Sequence, residues 1–182
     1  EAKEGRVALL SKIVVDATGD GDVAARSGAE FSLGDGEGKL MPASMHFKIG
    51  NVQSPDNGPG AKGGTIRYGI RVVQCGQIPG VNGVSTKSLT QAEMRARRMA
   101  YAKVHSFRQQ KDSWRDVHLL EFSPQIGIRE TRRIKGLYEL TRDDVLKGAR
   151  FEDAIAKCSY PVDLHPTEPS EPVKFQWPIT GS

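Results

Sequence analysis

The hydrophobic and polar positions divide the chain into short segments of different period. Lys12-Ile13-Val14-Val15-Asp16-Ala17 is a brief apolar, β-branched run, which reads as a buried strand of the kind found in parallel sheets. It ends at Thr18-Gly19-Asp20-Gly21-Asp22, and a short helix is predicted from Asp22 to Ser27, with Gly28 as its C-terminal stop. Ser44-Met45-His46-Phe47-Lys48-Ile49 alternates polar and apolar residues, so a strand there has Met45, Phe47 and Ile49 on one face. Residues 53–64 form a loop rich in Gly and Pro, and Thr65 to Val73 reads as a further strand.

The longest helix is predicted from Gln91 to about Lys111. Thr90 and Glu93 have the spacing of a capping box, Leu89 and Met94 that of a hydrophobic staple, and Ala100, Val104 and Phe107 form an apolar stripe. Gln125 to Leu140 reads as strand, broken or turned near Gly136. Thr141 with Asp143 and Asp144 starts a short helix that Gly148 ends, and Phe151 to Ala156 suggests another helical turn. Strands mixed with helices place the chain in the α/β (α+β) class.

Composition narrows the function classes. At 182 residues, 37% hydrophobic and 26% charged, the chain is an ordinary globular sequence. It has no apolar run near the ~20 residues a membrane helix needs, so no membrane span is expected. A net charge of +4 is too small to point to nucleic acid by itself. Two cysteines, Cys75 and Cys158, are too few for a disulfide scaffold, which leaves the cytoplasm as the default compartment. The opening Glu1-Ala2-Lys3-Glu4, without Met or signal peptide, suggests a piece of something longer. Five of the ten prolines fall in residues 161–182, so an extended tail is expected.

Three stretches carry candidate chemistry. In Asp16 to Asp22, a strand feeds a glycine turn and then a helix, which aims backbone N–H groups at a ligand. The acids suit ribose or ribityl hydroxyls better than a bare phosphate; the same residues also suit an ordinary capped turn. A calcium loop of the EF-hand type fails, because Thr18 falls at position three and Ser27 at position twelve. In Gly127 to Lys135, a strand would place Arg129, Thr131, Arg133 and Lys135 on one face. Adjacent arginines suit a carboxylate or phosphate, or form a solvated ion-paired face. In Tyr160-Pro-Val-Asp-Leu-His165, Asp163 and His165 point to one side of an extended segment. That pairing suits a general acid or base, or a structural histidine. His46, His105 and His118 carry no pattern, and no zinc spacing, serine-hydrolase signature, Walker loop or Gly-x-Gly-x-x-Gly unit is present.

Taken together, these stretches resemble the bacterial FAD-dependent oxidoreductase family. The similarity is carried by Ile13-Val-Val-Asp-Ala-Thr-Gly-Asp-Gly-Asp-Val-Ala-Ala25, Met45-His-Phe-Lys-Ile-Gly-Asn-Val52, Leu89-Thr-Gln-Ala-Glu93 with Arg95, and Ile126-Gly-Ile-Arg-Glu-Thr-Arg-Arg-Ile134. Tyr138-Glu-Leu-Thr-Arg-Asp-Asp-Val145, Phe151-Glu-Asp-Ala-Ile155 and Tyr160-Pro-Val-Asp-Leu-His165 continue it to about residue 166. The resemblance implies a Rossmann-like FAD-binding domain joined to a substrate domain of β-sheet and helices. Residues 1–39 would be an end piece of the FAD domain, 40–166 the substrate or cap domain, and 167–182 an extended return segment.

It further implies FAD contacts from Ala17, Thr18, Gly19, Asp20, Gly21 and Asp22. Arg129, Glu130, Arg132 and Arg133 would lie at the substrate or the domain interface, with Arg129 and His165 in catalytic roles and no metal. The family's dinucleotide fingerprint and C-terminal FAD segment are not found in the sequence. The chain therefore resembles an internal fragment, whose partners are a small-molecule substrate and the remaining parts of the same protein. The expected activity is hydride transfer between a small organic substrate and flavin. The rivals are a non-catalytic module that binds an anionic ligand or RNA on the basic strand, and a flavin-free enzyme using Asp163 and His165.

Overall fold

A computed structural model describes residues 3–53, 65–110, 112–167 and 174–177. Its centre is a four-stranded sheet in the order β3-β4-β2-β5, formed by β2 (His46–Val52), β3 (Thr65–Arg67), β4 (Gly69–Gln74) and β5 (His118–Phe122). The long helix α2 (Thr86–Gln110) joins the two halves of this sheet. Two small ribbons complete the structure: β1 (Phe31–Leu33) with β6 (Arg132–Ile134), and β7 (Val162–Leu164) with β8 (Lys174–Gln176). The short helices are α1 (Asp22–Arg26) and α3 (Arg142–Lys147). Every strand pairing among the described residues is antiparallel. The fold is thus a mixed α and β one.

Alternation explains β2. Met45, Phe47 and Ile49 are buried, and Phe47 pairs with Val73 of β4 on one side and Phe122 of β5 on the other. The same core takes the stripe Ala92, Ala96, Ala100, Val104 and Phe107 of α2. Small residues at three successive turns let the helix approach closely, and Phe107 meets the fully buried Trp114 edge to face, with ring centres 5.1 Å apart. Lys103 Nζ donates to the Gln74 carbonyl at 2.9 Å, and Arg108 Nε to the Val117 carbonyl at 2.7 Å, tying the helix's length to the sheet ends.

Local capping signals hold where they are self-contained. Thr141 accepts from Asp144 N while the Asp144 carboxylate accepts from Thr141 N, a complete capping box, and Gly148 ends α3 in the left-handed conformation. α1 ends at Ser27 and Gly28 as the sequence predicts.

Other expectations are corrected. Residues 12–17 belong to no strand: Ile13, Val14 and Val15 are 81%, 67% and 84% exposed, because no described segment offers them a ladder. The strand expected from Thr65 to Val73 is two, since Gly69 at φ +78° reverses the chain and lets Arg67 face Ile70. α2 begins at Thr86, where Leu89 N donates to the Ser85 carbonyl. Thr90 is therefore inside the helix, its hydroxyl donating back to the Thr86 carbonyl at 2.9 Å, and Glu93 is free to bond elsewhere. Met94 is half exposed and staples nothing. The strand expected over 125–140 shrinks to β6, because this stretch changes partners: Gly127 bridges Ser44, whereas residues 132–134 pair with β1. Arg129 accordingly does not share a continuous strand face with Arg133 and Lys135. Phe151 to Ala156 holds a single turn, closed by Ala154 N on the Phe151 carbonyl. The loop expected over 53–64 lies outside the described residues from 54 on, as does most of the segment after residue 167.

Candidate functional site

The Asp16–Asp22 turn is organised by one carboxylate. Asp16 accepts from the Thr18 hydroxyl at 2.7 Å, from Thr18 N at 3.0 Å and from Ala24 N at 2.8 Å. The Thr18 hydroxyl in turn accepts from Asp22 N at 2.8 Å. These donors, the Thr18 hydroxyl first and the Ala24 N–H next, hold the Asp16 carboxyl down at about 2. Gly19 and Gly21 take positive φ, so the backbone turns within a few residues and Ala17, Thr18 and Gly19 stand exposed.

The basic stretch reaches this turn. Thr131 Oγ1 donates to Asp20 Oδ1 at 2.7 Å, and Arg132 Nη1 donates to the Asp20 carbonyl at 3.0 Å and to Asp22 Oδ1 at 2.7 Å. Glu130 accepts from Met41 N at 2.6 Å with one oxygen and from Arg133 at 2.8 Å with the other. Arg133 also reaches the Gly34 carbonyl, and Lys135 pairs with Glu30. Arg132, Arg133 and Lys135 are thus each neutralised by an acid of this chain. The stretch is a clasp on residues 20–41 rather than an open cationic face, and this weighs against the RNA or anionic-ligand module.

Arg129 differs. Its Nε donates to the Pro42 carbonyl at 2.9 Å, and it lines a cavity of about 330 Å³ with Ser44, His46, Asp163 and His165. Two-way backbone bonds between Ser44 and Gly127, at 3.1 and 2.7 Å, fix Arg129's segment beside the start of β2. In β7 and just after it, Asp163 Oδ1 and His165 Nε2 stand 3.2 Å apart, with both side chains mostly buried. The two groups are close but not aligned as a hydrogen bond, so the buried Oδ1 has no donor among the described residues. Gln77 Nε2 lies 3.5 Å from His165 Nδ1, so the Gln77 amide and the Asp163 carboxylate flank the two ring nitrogens.

Arg129 and His165, predicted as separate motifs, therefore line one cavity. Glu130, Arg132 and Arg133 do not line it; they join the turn and the loop before β2. One stretch serves both places: residues 127–129 line the cavity and Thr131 and Arg132 hold Asp20 and Asp22. Three residues span at most ~11 Å, so turn and cavity are neighbours. His46, Ser44 and Gln77 escaped the sequence reading. The alternation of β2 does place Ser44 and His46 opposite Met45 and Phe47, but nothing local says that this polar face meets Arg129. Among the described residues, no group of three or more His, Cys, Asp or Glu is placed to hold a metal ion, and no helix is long and apolar enough to cross a membrane.

A family model described as FAD dependent oxidoreductase matches residues 1–67 and 63–182. No curated protein and no solved structure matches the chain.

Proposed function

The chain belongs to the FAD-dependent oxidoreductase family, and on that premise we propose that it takes part in hydride transfer between flavin and a small organic substrate seated in the Arg129–His165 cavity. Its cofactor is FAD. The donor set of the Asp16–Asp22 turn fits part of that group. The N–H groups of Gly19, Asp20 and Gly21 make no hydrogen bond among the described residues, and a Cβ added to Gly19 would meet nothing within 4 Å, so the backbone is open to a close ligand. Asp20 commits Oδ1 to Thr131 and keeps Oδ2 for a ribityl hydroxyl. When bound, FAD supplies the two-electron partner for a substrate C–H.

The chain's own residues supply the rest. His165 takes a proton from a substrate O–H, or returns one, and the adjacent Asp163 carboxylate stabilises the charged ring. Gln77 holds the ring from Nδ1. Arg129 orients the substrate beside His165. In this reading residues 1–39 belong with the cofactor and 40–166 with the substrate. The single observation that carries it is that residues 127–132 touch both the turn and the cavity.

The test is the visible spectrum of the protein expressed at its natural full length, after FAD loading and gel filtration, followed by anaerobic addition of candidate reductants. Retained flavin bands that bleach with a small alcohol or acid support the reading. His165→Asn should slow bleaching by ~10²–10⁴-fold without releasing flavin. A protein that takes up no FAD overturns it, and a His165→Asn variant that bleaches at the normal rate removes the cavity from the mechanism.

A further inference from the structure

Resting on the cavity assignment above, the geometry points to a substrate class: we propose that the site selects a small hydroxy-carboxylate, with Arg129 holding the carboxylate and His165 facing the hydroxyl. Of the four bases between residues 129 and 135, three are paired with acids of this chain: Arg132 with Asp22, Arg133 with Glu130 and Lys135 with Glu30. Arg129 has no carboxylate partner among the described residues. A half-buried guanidinium without a counter-ion is costly, and a bound anion is the natural remedy.

Arg129 is also prepared for one. Its Nε bond to the Pro42 carbonyl fixes the guanidinium plane and leaves both Nη groups, whose forked N–H pairs match the two oxygens of a carboxylate. Asp163 shares the cavity, but its carboxylate faces His165, and the two are 3.2 Å apart. A ligand that brings its own carboxylate satisfies Arg129 without disturbing that pair.

The remaining walls suit a molecule of modest size with polar ends and an apolar carbon frame. Ser44, almost fully buried, and His46 are polar, whereas Met41 and Ile128 are apolar. A volume of about 330 Å³ is at the low end of ligand pockets, which run from ~300 to ~1,000 Å³. The chemistry balances with the family's cofactor. With FAD bound, it would accept the hydride as the carbinol C–H bond breaks, while His165 takes the O–H proton and a C=O double bond forms. The substrate would be oxidised to an oxo-carboxylate and the cofactor reduced by two electrons.

Binding tests the assignment without turnover. Ring signals of His46 and His165, assigned with His46→Asn and His165→Asn, are followed by NMR in the full chain as glycolate, lactate or malate is added. The neutral polyol glycerol and sodium chloride are the controls. The expected result is a saturable shift of both rings with at least one of the acids and none with glycerol or chloride. Arg129→Gln should weaken it at least 10-fold and Lys135→Gln should leave it unchanged. Arg129→Lys, which keeps the charge but loses the fork, should bind more weakly than the parent and guards against an Arg129→Gln chain that fails to fold. Shifts with glycerol but none of the acids, or equal losses in the Arg129→Gln and Lys135→Gln variants, overturn the proposal. Flavin that bleaches with a neutral alcohol while no acid binds removes this inference and leaves the hydride-transfer reading standing.

Discussion

Arg132 Nη1 lies 2.7 Å from the Asp22 carboxylate, and the two residues are separated by 110 positions in the chain. The same nitrogen also reaches the Asp20 carbonyl at 3.0 Å. With side chains 16% and 39% exposed, this pair is better shielded than the other lysine and arginine ion pairs among the described residues. Together with Thr131–Asp20 it fastens the turn to the segment whose other end forms the cavity wall.

Breaking that contact should loosen the turn first. Arg132→Met leaves Asp22 without its partner, and a lost hydrogen bond to a charged group costs about 1.5–3 kcal/mol. Urea denaturation should show a loss in that range, and FAD affinity should fall with it. A double-mutant cycle with Asp22→Asn should give a coupling above ~0.5 kcal/mol; strictly additive losses mean the pair is not the fastener.

The Asp16 turn should be acid-sensitive. Its carboxyl titrates at about 2 rather than at its ordinary 3.8, chiefly through the Thr18 hydroxyl and then Ala24 N. The unfolded chain therefore binds the proton first as pH falls. The turn's contribution is full above the ordinary value and is lost as pH drops through the folded one. Thr18→Val removes the largest cause, so carboxyl-detected NMR should show the Asp16 titration moving up toward its ordinary value. An unmoved titration would falsify the assignment.

The two glycines of the turn should respond differently to alanine. Both have positive φ, which costs an L-residue ~1–2 kcal/mol. A Cβ on Gly19 meets nothing, whereas one on Gly21 would stand 2.8 Å from Ile134 Cδ1. Gly21→Ala should be the more destabilising in thermal melts. Adding Ile134→Val to Gly21→Ala should recover only the excess over Gly19→Ala; equal losses in the two single variants refute the packing account.

Glu93 should matter beyond its helix. Its Oε1 accepts from Ile126 N at 2.5 Å and Oε2 from Arg97 at 3.0 Å, so it joins α2 to the start of the 126–132 stretch. Glu93→Ala leaves the N–H of buried Ile126 unpaired, at a cost of about 1–3 kcal/mol. Hydrogen exchange at Ile126 should accelerate along with the stability loss. Protection that persists at Ile126 argues against the bond.

What the sequence alone determined is local. Thr141 with Asp144, Gly148, the turn of glycines before α1, and the alternation of Met45, Phe47 and Ile49 all depend on neighbours within eight residues, and each formed as patterned. The Asp163–His165 pair was legible for the same reason, being two positions apart on an extended segment. Tertiary structure decided the rest. Residues 12–17 have the composition of a strand, but a strand exists only with a partner to take its hydrogen bonds, and no described segment provides one. Glu93 has the spacing of a cap, but the helix began earlier and its carboxylate went to Ile126. The four bases after Ile128 look alike in sequence. Glu130 is three positions from Arg133, but only the places of Asp22 and Glu30 in space neutralise Arg132 and Lys135 and leave Arg129 apart, and only the Ser44–Gly127 bridge sets Arg129 beside His46 and His165. Charge pairing over long sequence separations depends on where the backbone returns, and no local pattern encodes that return.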